Sequence, residues 1–192
     1  MKKILTACVL WAFIMTMSSV WAYTQNEKLA ADFLSYKDVI VAQEDASKYE
    51  LDKEITRREM WKVTLKLSGL DVPASCTGMF NDLNASDWGC KYAEAWANKW
   101  FFAKNESFNA WSSISKIEAL KMVMKGTNIA KDTTDDWREW YVTAAVKYGL
   151  LEQSFSDYDT LATRWWIFVM AQHAIEYSDD EDIKLIEDLL NI

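Results

Sequence analysis

Three short stretches of this 192-residue chain place a cation directly behind a hydroxyl that can cap a helix. They read Thr56-Arg57-Arg58-Glu59, Ser115-Lys116-Ile117-Glu118 and Thr163-Arg164-Trp165-Trp166. In the first two, a glutamate three residues after the hydroxyl completes the spacing of a capping box. The cation then falls in the first helical turn, at the partly positive end of the helix dipole, where it costs from a few tenths up to about 1 kcal/mol. One such cation reads as solvated or paired with a nearby acid. Three at the same disfavoured position point instead to an anion, held by the cation, the hydroxyl and free backbone N–H groups.

Other chemistry is sparse. The single histidine, His173 in "AQHAIEY", reads as a packed or surface helix position, so no nucleophile–base arrangement can be assembled. The 29 acidic residues read as solvated, and a hydrolase using paired carboxylates is the enzymatic alternative they leave open. The expectation is a protein without catalysis, cofactor or metal. Cys76 and Cys90 would supply only two thiols, too few for a zinc site with one distant histidine. In an exported chain this pair reads as a disulfide, and closing a loop of about 15 residues stabilises by roughly 3 kcal/mol.

Export is expected from the N-terminus. Lys2 and Lys3 precede an apolar run from Ile4 to about Thr16, and "SVWA", ending at Ala22, has the spacing of a cleavage site. The run is shorter than the roughly 20 residues a membrane span needs. Cys8 leaves with this leader (residues 1–22). The net charge of −8 then becomes −10, because two lysines and no acids are removed. Such an acidic chain has no basic excess to neutralise phosphates, which excludes nucleic acid as the expected partner.

The elements that position the caps repeat along the chain. "DWGCKYAEAWANKW" (Asp87–Trp100) aligns without a gap on "DWREWYVTAAVKYG" (Asp136–Gly149). Downstream, "FNAWSSISKIEAL" matches "FSDYDTLATRWWIF" with one residue of slippage, giving a period of 48 to 49 residues. "YELDKEITRREMWKV" is the same second half again, and "EKLAADFLSYKDVI" its helical first half. The units span residues 24–70, 79–129 and 135–177. Each reads as helix, loop with an aromatic (Tyr49, Phe108, Phe155), polar cap, helix. Residues 178–192, acidic first and then apolar at Ile183, Ile186, Leu189 and Leu190, read as a separate capping helix. No strand-length alternation competes, so the fold class is all-α.

"ITRREM" closely matches the I-T-R-A-E helix start of the S-layer homology domain of bacterial envelope proteins. "FND" with Trp88, and "YGLLEQSF", resemble the opening and middle of that family's repeat. The resemblance implies a pseudo-threefold spindle whose inter-unit grooves bind a cell-wall secondary polysaccharide, often anionic, without a covalent bond. Carried over by position, the binding residues would be Thr56, Arg57, Asp82, Trp88, Ser115, Lys116, Trp137, Thr163 and Arg164. The cation would pair with a carboxylate of the polymer, the hydroxyl would hold its oxygens and the tryptophan would stack on a sugar face. The first unit lacks the aromatic–aspartate–tryptophan opening, the second has lysine for arginine, and the third has Trp166 for the capping glutamate. Unequal pockets are therefore expected. If all are degenerate, the alternative is a structural envelope protein that self-assembles or binds other envelope proteins.

Eleven tryptophans against five glycines is an unusual ratio. Trp100, Trp111 and the Trp165-Trp166 pair stand where glycine or a smaller residue would be natural. Two readings stay open: UGA codons read as glycine in the source organism, or a tryptophan-rich sugar-binding surface. Intact mass separates them, since each replacement lowers the mass by the tryptophan–glycine difference.

Overall fold

In the computed structural model, residues 25–98, 107–129 and 136–190 are described. The expected leader and Trp100 lie outside them. Among the described residues the regular structure is helical: α1 (Gln25–Tyr36), α2 (Arg57–Leu67), α3 (Cys90–Asn98), α4 (Lys116–Gly126), α5 (Trp137–Lys147) and α6 (Arg164–Leu190), with a 3-10 turn at Ala46–Tyr49. The fold is all-α, and no described helix is long and apolar enough to cross a membrane.

Local chemistry sets the helix ends. Capping boxes begin α2 and α4. Left-handed residues follow several helices: Asp38 after α1, Gly69 after α2, Asn128 after α4 and Gly149 after α5. At Gly149 (φ 73°) the chain turns so that the Leu150 N–H reaches back to the Ala145 carbonyl, at 2.8 Å, closing the helix end. One boundary differs from expectation. The C-terminal segment is not a separate capping helix but the continuation of α6 through Leu190. No glycine or proline interrupts residues 164–190, so nothing in the backbone breaks the helix there.

The packing order is cyclic. α3 packs on α2, α5 on α4, and α1 on α6, so each opening helix lies on the cap-bearing helix of another unit. The cap-bearing helices α2 and α6 each pack against α4. The loops before the caps close a ring: Ile55 N–H donates to the Ala162 carbonyl (3.0 Å), Ala162 to Ile114 (2.9 Å), and Ile114 to Ile55 (3.2 Å). All three side chains are buried. One core, including Leu34, Met60, Leu120, Leu150 and Ile167, joins the three units. A second, around Trp61, Phe80, Trp96 and Phe108, belongs to residues 61–110 and uses edge-on aromatic contacts such as Trp61–Trp96 at 5.6 Å.

The α2–α4 crossing depends on a glycine. A Cβ on Gly126 would stand 2.7 Å from Thr64 Cγ2 and 3.0 Å from the Thr64 carbonyl oxygen. Thr64 is fully buried, and its hydroxyl donates to the Met60 carbonyl at 2.7 Å, so it cannot swing away cheaply. Gly126→Ala should therefore destabilise, overpacking of about 1–3 kcal/mol outweighing the gain in helix propensity of up to about 1 kcal/mol. Urea unfolding checks this; an unchanged or raised midpoint would refute the tight crossing.

Grooves between the units as a candidate binding site

The helix starts are occupied by the protein itself. Arg57 and Arg58 N–H donate to the Ser112 and Ala110 carbonyls at 2.9 and 3.1 Å. Lys116 and Ile117 donate to Thr160 and Tyr158 at 2.8 and 3.4 Å, and Arg164 and Trp165 to Lys53 and Leu51, both at 2.9 Å. In each case the loop of another unit satisfies the first-turn amides that the sequence reading left for an anion. The capping boxes complete the set: Glu59 accepts from Thr56 N–H at 2.8 Å and Glu118 from Ser115 N–H at 3.1 Å.

The cap cations have protein partners too. Arg164 Nη2 reaches Glu59 Oε1 at 2.7 Å, and its Nη1 meets Glu50 at 2.9 Å and the Tyr49 carbonyl at 3.0 Å. Arg57 Nη2 reaches Glu118 Oε1 at 3.2 Å. Each arginine thus holds the second oxygen of another unit's capping glutamate. The third unit has Trp166 at that position, and Lys116 pairs instead with Asp157 at 3.4 Å. Burial pushes the Glu59 and Glu118 carboxyls up. Bonds from Thr56 and Ser115, with the Arg164 and Arg57 charges, outweigh it and hold both below the usual range.

Between the units lie two grooves of related construction. The first, about 750 Å³, has Arg57, Ser115, Glu118, Lys121, Arg138 and Trp137 in its wall. The second, about 220 Å³, has Arg164, Glu59, Lys62 and Trp88. These sets correspond in register. Glu59 and Glu118 are the capping glutamates, and Lys62 and Lys121 each stand six residues after the cap hydroxyl. Trp88 and Trp137 open the next unit, 42% and 39% exposed, each edge-on to a buried tyrosine four residues on (Tyr92 at 6.0 Å, Tyr141 at 6.3 Å). Lys121 Nζ lies 4.7 Å from the Trp137 ring centroid and Lys62 Nζ 5.9 Å from that of Trp88.

The third position is built differently. Trp166 replaces the glutamate and Val169 the lysine, and α1 begins without a tryptophan. Phe155 packs there against Trp166 and Tyr158, both at 5.9 Å, with Lys116 Nζ 5.9 Å above its ring. Of the residues singled out in the sequence, the first groove brings together Arg57, Ser115 and Trp137, and the second Arg164 and Trp88. Thr56 closes the box beside the second groove. Lys116 and Thr163 belong to the aromatic-filled position. Asp82 is in neither groove wall. Its carboxylate accepts from Phe108, Asn109 and Ala110 N–H and fixes that turn. Burial raises its pKa, but these backbone donors outweigh it and leave it lowered.

Sequence reasoning missed Lys62, Lys121, Glu59 and Glu118 as groove residues. The available signal was the recurrence of a lysine six residues after the cap in the first two units and its loss in the third. Arg58 lies 3.6 Å from the Trp111 ring centroid and 5.0 Å from that of Trp88, and pairs with Asp87 at 3.1 Å. Trp111 is 61% exposed, and the left-handed residue of its turn is Asn109, so the backbone does not require glycine at position 111. His173 is half-buried on α6, its Nδ1 3.3 Å from the Leu150 carbonyl oxygen. The Cys76 and Cys90 sulfurs are within bonding distance, with Cα atoms 5.9 Å apart.

Set beside known proteins, the chain matches no family model and no curated protein.

Proposed function

We propose that this protein is an exported, non-catalytic component of the cell envelope that binds an anionic cell-wall polysaccharide without covalent attachment. The three units are S-layer homology-like repeats arranged as a spindle, and the polymer lies in the grooves between them. The carrying observation is the pair of grooves built in the same register, each with an exposed tryptophan beside cations. The first has Arg57, Lys121, Lys125 and Arg138 against Glu118 and Asp159, and the second Lys48, Lys62 and Arg164 against Glu59. A cationic balance in both grooves of a chain with net charge −8 favours an acidic ligand. An exposed indole ring offers a flat apolar face for a sugar.

The test is sedimentation with purified cell walls, native or stripped of secondary polymer by acid. Wild-type protein should sediment with native walls only, and a Trp88→Ala/Trp137→Ala variant should bind about tenfold or more weakly. Equal sedimentation with both walls, or salt-insensitive self-assembly in their absence, would instead favour a structural envelope protein.

A further inference from the structure

The cap cations are committed to other units, which raises the question of what meets the ligand's negative charge. We infer that Lys62 and Lys121 are the anion-binding groups of the two grooves, each receiving a carboxylate or phosphate of an acidic sugar stacked on Trp88 or Trp137. The inference rests on the groove reading above and assigns its chemistry to residues that the cap pattern does not contain.

Three observations carry it. First, the cap arginines are engaged: Arg164 makes three bonds to protein groups and Arg57 is bonded to Glu118. Second, the lysines are not. Neither Lys62 nor Lys121 is in an ion pair among the described residues, although both are half-buried in groove walls. Asp38, the carboxylate that feels the Lys62 charge, is already bonded to Lys66 at 2.6 Å. Each ammonium instead lies against the indole of the next unit, at 5.9 and 4.7 Å from the centroid. A cation in this setting gains from the ring and keeps its donors available.

Third, the lysine is lost together with its surroundings. At the third position lysine is replaced by Val169, the capping glutamate by Trp166, and the opening tryptophan is missing from α1. The cap hydroxyl Thr163 and a cap cation reaching in from the neighbouring unit, Lys116, are nevertheless kept. If the cap cation took the ligand, it would be expected to disappear with the groove. It persists at the position filled by Phe155, Trp166 and Tyr158, which marks it as part of the inter-unit joint. Lysine and tryptophan stay or go together, as parts of one binding unit would.

The experiment compares four proteins on purified native and acid-stripped walls, with binding isotherms and thermal midpoints for each. They are wild type, Lys62→Gln/Lys121→Gln, Lys62→Arg/Lys121→Arg and Trp88→Ala/Trp137→Ala. The glutamine variant should bind native walls about tenfold or more weakly, since each groove loses a charged hydrogen bond. Its thermal midpoint should stay at the wild-type value, and the arginine variant should keep most of the affinity. Wild-type affinity in the glutamine variant alongside lost affinity in the tryptophan variant would overturn the lysine assignment and leave the groove reading standing. A lowered thermal midpoint in the glutamine variant would make the lysines structural and likewise overturn it. Failure of the wild type to prefer native walls would remove the groove reading, and this inference with it.

Discussion

Arg164→Ala lowers the free energy of unfolding by about 3 kcal/mol, the largest effect expected of any single cap residue. Its side chain is 16% exposed and that of Glu59 25%. Truncation leaves one Glu59 oxygen without its cation and the Tyr49 carbonyl without a donor, at the low end of the cost of breaking a buried pair. Lys116→Ala should cost far less, because its partner Asp157 is 56% exposed and the pair is screened by solvent. Arg57→Ala falls between them. The acid limb follows from the same pairs. Glu59 and Glu118 are held below their ordinary value of 4.5 in the folded protein. A carboxyl with a depressed folded pKa contributes stability that is present above the unfolded pKa and is lost as pH falls through the folded one. Wild-type stability should therefore decline as pH drops below about 4.5, and more shallowly in the Arg164→Ala variant, which has already lost part of that contribution. Urea unfolding between about pH 7 and pH 3 measures both; an unchanged midpoint at neutral pH would dissolve the inter-unit joint as a concept.

The caps could be read from sequence because their chemistry is local. Thr56 to Glu59 and Ser115 to Glu118 are contacts within one helical turn, and the repeat period placed the third cap by alignment. What the cations do was not readable in the same way. Arg164 and Glu59 are 105 residues apart in the chain, and Arg57 and Glu118 are 61 apart. The expectation of free first-turn amides failed for the same reason. Carbonyls of Ser112, Thr160 and Lys53 reach them only once the loops close into a ring. Trp88 and Trp137 were found through their place in the repeat, but their groove partners Lys62 and Lys121 come from the preceding unit. Local pattern therefore located half of each groove, and the cyclic packing supplied the other half. The joint of α6 with its C-terminal extension was misjudged because a run of acids resembles a helix start, while an unbroken helix needs only the absence of a breaker.

The second large effect is confined to one unit. Reducing the Cys76–Cys90 link, or replacing both residues with alanine, should cost about 3 kcal/mol for a loop closed over 14 residues. The consequence should be local, because the link fastens a short loop to the start of α3. Glu94, one turn further along α3 and 3% exposed, holds the same loop: it accepts from Thr77 N–H and Met79 N–H, both at 2.7 Å, and from the Thr77 hydroxyl at 3.0 Å. Burial raises its carboxyl, yet these donors outweigh it and keep it ionised. The loop leads into Phe80 of the second core, and Trp88 of the smaller groove lies two residues before Cys90. Trp137 has no such tether, since α5 starts from an aspartate cap at Asp136. Reduction should therefore speed amide exchange at residues 76–80 and in the first turn of α3 while leaving α5 unchanged. It should also weaken wall binding through the smaller groove more than through the larger one, which a Trp137→Ala background isolates. Uniform acceleration of exchange across α3 and α5 would instead mean that the link supports the whole ring, and that the two grooves cannot be tuned separately.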